Sequence, residues 1–278
     1  MNGRSSSSQP TPTRRHAAQA ALLHELRLFF VALQFLTRLP VPGWVGFEPA
    51  WLNRSARHFP LVGTLVGATG AAVAVAAQLV WPPVVAAALA VAATLWLTVA
   101  FHEDGLADSF DALLGAAPRD KALAIMKDSR IGSYGAAALL LVLLLRVHLL
   151  AELLARDPLL AAAAWVAAHT AGRAGAVALM TLLPYAGDEA HAKARPLARE
   201  VRRFDAAFAC ATGVVLLAVA AACPPAPPAS FVAATAGLCL LTLILRNWLR
   251  ARLGGYTGDT LGAAEQLGEV IVLLAFAA

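Results

Sequence analysis

GAAALLLVLLL, Gly135 to Leu145, runs eleven residues without one polar side chain. A soluble core cannot absorb several such runs, and the chain has several. Of its 278 residues, 59% are hydrophobic and only 14% charged, against about 45–50% and about 25% in soluble domains. Mean hydropathy is positive. The excess implies an all-α, polytopic membrane helix bundle in a single domain.

Outward from that run, a bilayer-crossing helix needs about 20 mostly apolar residues. Seven stretches qualify: 61–81, 84–101, 135–155, 158–183, 205–223, 230–246 and 264–278. Upstream, Leu22 to Leu39 alternates apolar and charged residues and predicts an amphipathic helix lying at the membrane surface or entering it partway. Residues 1–21, rich in Ser, Pro and Arg, predict a disordered basic tail. Glu25 and Arg27 interrupt what would otherwise be a signal-peptide core. Cys210, Cys223 and Cys239 have no CxxC spacing and read as small apolar residues inside or beside helices.

The gaps between spans alternate in character. Pro82-Pro83, the turn at Arg156-Asp157 and PPAPPAS (224–230) are short. The others are long and basic, with Arg119, Lys121, Lys127 and Arg130, then Lys193, Arg195, Arg199, Arg202 and Arg203, then Arg246, Arg250 and Arg252. Positive residues stay inside, which puts these loops and Arg14-Arg15 in the cytoplasm. The chemically unusual segments, 101–135, 185–204 and 253–263, all fall on that side. A transporter would carry its ionisable groups near the midplane. This distribution fits an enzyme acting on a charged substrate at the membrane surface.

Upstream of the opening run stands FHEDGLADSFD, Phe101 to Asp111. If the second span's helix continues, Asp104, Asp108 and Asp111 recur at i, i+4 and i+7 and share one face. Carboxylates so placed repel each other unless a cation sits among them. All-oxygen ligation suits Mg²⁺ or Mn²⁺. Gly105 leaves room beside Asp104, and His102 reads equally as a ligand or a packing residue. In KDSRIGSYG, Lys127 and Arg130 are candidates for phosphate oxygens, with the backbone N–H groups at Gly132 and Gly135 beside them. In GGYTGDTLG, Gly254 to Gly262, the main chain around Gly255, Thr257 and Gly258 predicts a loop that wraps an anion or an ion, with Asp259 inside it. Glu265 and Glu269 follow in the first turns of a span, where an acid needs a partner or a ligand. Arg146 is expected to take a structural partner such as Glu152. Arg173, beside His169, is a candidate site residue. Arg38 and Arg57 either add positive potential to the cytoplasmic face or contact lipid headgroups.

Together these motifs resemble the cobalamin synthase family, the adenosylcobinamide-GDP ribazoletransferases, from about Leu33 to the C-terminus. The resemblance rests on TRLPVP (37–42), FPLVG (59–63), the H-x-DGLADxxD pattern of His102 to Asp111, MKDSRIGSYG (126–135), Arg173 and GGYTGDTLGAxxxxxE (254–269). It implies that residues 22–278 form an integral-membrane transferase domain. The implied reaction passes the adenosylcobinamide phosphoryl group from adenosylcobinamide-GDP to α-ribazole or its 5′-phosphate, and GMP leaves. Mg²⁺ would be held by Asp104, Asp108 and Asp259, with Asp111 either a further ligand or the base for the acceptor hydroxyl. Glu269 matches the pattern and is counted with the metal residues. Lys127 and Arg130 would hold phosphate oxygens, and Arg130 with Asp108 would also serve catalysis. Glu103 and Glu265 depart from the pattern. Asp104→Asn and Asp108→Asn are therefore expected to abolish activity, and Glu103→Leu to be nearly neutral.

The expected location is the bacterial cytoplasmic (inner) membrane, as a multi-pass protein with its active site on the cytoplasmic face. Its partners would be the two substrates and the bilayer, with a homo-oligomer or other cobalamin-pathway enzymes as further candidates and no nucleic acid. Two other readings are a CDP-alcohol-type membrane phosphotransferase and a cobalt or corrinoid transporter. The first expects an Ala-Arg pair after DG, but Asp108 follows Ala107 here. The second expects midplane polar groups, which only Arg146, His148, His169 and Arg173 approach.

Overall fold

The computed structural model describes residues 14–115, 117–187, 198 and 200–278. Most of the tail and Lys193, Arg195 and Arg199 of the basic loop lie outside the described residues. The helices are α1 (Arg14–Leu36), α2 (Pro49–Ser55), α3 (Phe59–Gln78), α4 (Pro83–Thr98), α5 (Phe101–Leu113), α6 (Arg119–Ile125), α7 (Ser133–Arg156), α8 (Pro158–Leu182), α9 (Arg203–Ala221), α10 (Ser230–Leu253) and α11 (Gly258–Ala277). Among the described residues there is no strand, only an isolated bridge between Tyr185 and Tyr256.

Sequence chemistry sets several boundaries. Pro83 and Pro158 start α4 and α8 at first-turn positions where a missing N–H costs nothing. Asp157 caps α8 by accepting the Leu160 N–H at 2.8 Å. Thr257 and Thr260 form a reciprocal capping box at the start of α11. Helix α8 is the centre of the bundle, packed by α3, α9 and α11. Gly63 and Gly67 of α3 allow that approach: a Cβ on Gly67 would lie 2.9 Å from the Val166 Cα, and one on Gly63 would run into the His169 carbonyl. Small residues four apart let helices meet closely in lipid, where no hydrophobic force drives them together.

Six helical segments are long and apolar enough to cross a membrane, or seven if α4 and α5 form one bent span. The count agrees with the expectation of about seven, but the membership differs at two helices. The stretch Gln19–Leu36 of α1 is among the six, although an amphipathic helix lying at the surface or entering only partway was expected there. Helix α8 occupies the expected fourth stretch, 158–183, yet it is not one of the six, because polar residues such as His169 and Arg173 lower its hydropathy. The expected short last span is a full 20-residue helix, and 78% of its spanning window is buried. That burial is what lets it carry Glu265 and Glu269.

The largest departure is at residue 99. Continuous helix was expected through Phe101 to Asp111. Instead Val99 (φ 56°) and Ala100 (φ 53°) adopt the left-handed conformation and α5 leaves at 90° to α4. Left-handed backbone is costly for a β-branched residue, and here it gives the acid-bearing segment an axis of its own. Helix α5 runs back along α7, from Glu103 opposite Arg146 to Asp111 at the α7 start, and its Asp111 turn lies at one end of the bundle.

Candidate active site

The three polar segments meet at that end of the bundle. Tyr256 N–H donates to the Pro184 carbonyl at 3.0 Å, and Ala186 N–H donates to the Tyr256 carbonyl at 2.8 Å. Arg119 of α6 ties both strips together, donating to the Leu253 carbonyl (2.9 Å) and the Ala186 carbonyl (3.0 Å). Arg252 reaches the Gly115 and Ala117 carbonyls. Arg119 and Arg252 looked like generic basic loop residues in the sequence; they are loop clamps.

Helix α5 lies against the start of α11. A Cβ on Gly105 would sit 2.7 Å from the Asp259 carbonyl oxygen, and one on Gly262 would sit 3.0 Å from the His102 carbonyl oxygen. This contact brings Asp104 and Asp108 to Asp259 although about 150 residues separate them in the chain. Asp104 is exposed, while Asp108 and Asp259 are half-buried. The Asp108 pKa is pushed up to about 7, first by burial and then by the charges of Asp104, Asp259 and Asp111. Such crowding is what a divalent cation relieves, and the donors are all carboxylate oxygens, as magnesium prefers. The donor chemistry suits the expected ion, although the three carboxylates do not draw within 4.8 Å of one another, so binding would have to pull them together. Beside Asp104 opens a groove of about 370 Å³, lined by Phe35, Leu36, Thr37, Thr98, Val99, Ala100 and Phe101.

Asp111 has a different use. Its carboxylate accepts the Gly132 N–H at 2.7 Å and the Gly135 N–H at 2.8 Å, capping α7 from across the site. A Cβ on either glycine would strike that carboxylate. The expected roles change accordingly. The Gly132 amide binds Asp111 rather than a substrate anion, and Asp111, with both oxygens engaged, is poorly placed as a base. What it does is fold Lys127 to Gly135 onto the aspartate helix. Within that loop Arg130 is exposed and paired to Asp128, whose carboxyl its hydrogen bonds hold down to about 2.

The glycine-rich loop is likewise mainly architectural. Gly255 has no room for a side chain against the Pro184 carbonyl. Thr257 is buried and spends its hydroxyl on the α11 cap. Gly258 opens α11 beside Asp259, half-buried, in the lining of a small cavity with His102 and Arg173.

Residues 28–277 match the family model described as cobalamin-5-phosphate synthase. The chain belongs to that family. A protein named adenosylcobinamide-GDP ribazoletransferase from Leptothrix cholodnii is 54% identical over 93% of this chain and 98% of its own length. Proteins of the same name from Ralstonia nicotianae (45% identical, 91% of this chain and 96% of theirs) and Shewanella frigidimarina (43% identical, 91% and 94%) are also similar. No solved structure matches the chain.

In this family member the remaining expected residues sit elsewhere. Glu269 lies ten residues beyond Asp259 on α11, about 15 Å along the axis, so it does not join the aspartates around one ion. It is fully buried, 2.8 Å from Arg146 and 2.5 Å from His169. Arg173, also buried, pairs with Glu265 at 2.5 Å and donates to the His169 carbonyl at 2.9 Å. Among the described residues, His169, Glu265 and Glu269 form a group of three donors within 4.8 Å of one another. Arg146 and Arg173 already occupy those carboxylates, which disfavours a divalent ion there.

Two further expectations give way. Arg146 pairs not with Glu152, which binds Arg156 on the surface, but with Glu103 at 2.9 Å, Gln266 at 2.8 Å and Glu269. Arg57 is buried between Glu25 and Asp205, each at 3.3 Å, so it adds little to the surface potential. Glu103 is the residue the sequence reading undervalued. It shares a helical face with Leu106, Ala107 and Phe110, and an acid in the middle of an apolar stripe is a sign of a buried cationic partner. Arg146, on the face of Val142, Leu149, Leu150 and Leu153, carries the complementary sign.

Proposed function

We propose that this chain is a magnesium-dependent adenosylcobinamide-GDP ribazoletransferase, passing the adenosylcobinamide phosphoryl group to α-ribazole or its 5′-phosphate and releasing GMP. The observation that carries the reading is the meeting of Asp104, Asp108 and Asp259 at one end of the bundle in a member of this family. Phosphoryl transfer calls for charge neutralisation and in-line placement more than covalent help. Magnesium, when bound by these three carboxylates, would supply that neutralisation. Asp111 holds the 127–135 loop in place so that Lys127 and Arg130 stand at the same end, where they can take phosphate oxygens. Arg130 would exchange Asp128 for substrate, which an exposed pair permits cheaply. The groove beside Asp104 lies within the size range of small-molecule sites, about 300–1,000 Å³. The basic loops at this end support a cytoplasmic active site in the bacterial inner membrane.

The test is direct. Full-length protein in detergent is supplied with Mg²⁺, adenosylcobinamide-GDP and α-ribazole 5′-phosphate, and GMP release is followed. Turnover that stops on chelation and returns with Mg²⁺ is expected. GMP release unaffected by chelation would remove the metal, and absence of release would remove the assignment.

A further inference from the structure

The seam between α5 and α11 has an odd property for a contact that assembles a site. Its close approaches are at Gly105 and Gly262, where backbone meets backbone. A glycine contact permits a short distance, but at the point of closest approach it offers no side-chain knob to stop one helix sliding along the other, and the apolar side chains around it have no directional preference. A slide of one residue is about 1.5 Å, whereas magnesium demands near-ideal geometry at about 2.0–2.1 Å. Something else must set the register.

Two turns along α11 from Asp259, the same two helices are joined through a third. Glu103, next to Asp104 on α5, accepts from Arg146 of α7 at 2.9 Å. Arg146 also donates to Gln266 at 2.8 Å and pairs with Glu269 at 2.8 Å, both on α11. Arg146 and Glu269 are 0% exposed and Glu103 is 4% exposed, so no water competes for the charges. A guanidinium fork between carboxylates is geometrically demanding. At its other end α5 is tied to the start of the same α7 through Asp111 and the Gly132 and Gly135 amides.

We propose that Glu103 and Arg146 are positioning residues for the aspartate site. The buried chain Glu103–Arg146–Gln266/Glu269 is a strut that fixes the axial register of α5 against α11, and so the spacing of Asp104 and Asp108 from Asp259. This rests on the magnesium reading above. It assigns Glu103 a task the aspartates cannot perform for themselves, because their mutual repulsion pushes the two helices apart.

The experiment uses full-length protein in detergent, titrated with Mn²⁺ alone and followed by the free-ion EPR signal, with melting temperature recorded in parallel. Glu103→Gln keeps the shape and a hydrogen-bond acceptor but removes the charge. Glu103→Met/Arg146→Met removes the strut without leaving its central guanidinium unpaired, and is read in place of the single variant if that one fails to insert. Glu152→Gln, at a surface pair, is the control. Mn²⁺ affinity is expected to fall about tenfold or more in the strut variants, the scale on which groups that orient metal ligands act. It should stay unchanged in the control, and turnover should recover towards the parent value at saturating Mg²⁺. A lowered melting temperature with unchanged Mn²⁺ affinity would overturn the inference alone. Failure of the parent to bind Mn²⁺ would remove the magnesium reading first, and the strut's purpose with it.

Discussion

Two groups of acids sit along α11, and the bundle treats them in opposite ways. At the helix start Asp259 meets Asp104 and Asp108, partly open to solvent, and the charges push against one another. Two to three turns deeper, Glu265 and Glu269 join Glu103 in a closed interior where Arg146 and Arg173 answer them at 2.5–2.9 Å. The first arrangement leaves charge for a mobile cation and its substrate. The second already has two arginines built in among its three acids, which suits a structural role. Carboxylates at comparable spacing thus differ in use according to whether the protein itself supplies the cation.

That contrast can be broken first at Asp108. Asp108→Asn is expected to lower GMP release on the order of a thousandfold, the scale of losing a group that stabilises transition-state charge. The melting temperature should hold or rise, because a repulsive charge has gone. A large drop in melting temperature would make Asp108 a structural acid like Glu269.

The converse change is Arg146→Met. It strands Glu103 in the interior, takes one partner from Glu269, and should cost about 3–5 kcal/mol of stability, read from unfolding in detergent. Little loss would mean the deeper group is not an ion-paired unit. Between these lies Gly135→Ala, which pushes a Cβ into the Asp111 carboxylate. Displacing the 127–135 loop by about an ångström should cost on the order of a hundredfold in kcat/KM with the bundle intact. Unchanged kinetics would show that Asp111 caps α7 without placing Lys127 and Arg130. The smallest effect is expected for Arg130→Ala: an unchanged melting temperature and a KM for the diphosphate substrate raised about tenfold, as for one lost charge-assisted hydrogen bond. An unaltered KM would leave Arg130 as a partner for Asp128 only.

Much of the bundle was legible because composition and hydropathy act locally. Spans 61–81, 135–155, 205–223 and 230–246 correspond to α3, α7, α9 and α10, whose apolar runs can lie nowhere but in lipid or bundle core. The break at Val99-Ala100 was not legible, since nothing in TVAF forbids helix. The aspartates were found through their i, i+4, i+7 spacing, which survives although the helix carrying them is a separate one. Spacing could not show that Asp111 turns from Asp108 to the Gly132 and Gly135 amides, nor that Thr257 spends its hydroxyl on a cap. Those depend on what lies opposite.

Unaided, the linear order of residues settled the class, the helices and the chemistry available, because lipid burial and ligand hardness are properties of side chains themselves. Only the folded arrangement decided which acids share a site and which find an arginine. Charge pairing depends on distances between helices far apart in the chain, and those distances come from the glycine contacts, the 90° bend and the crossing of α5, α7 and α11.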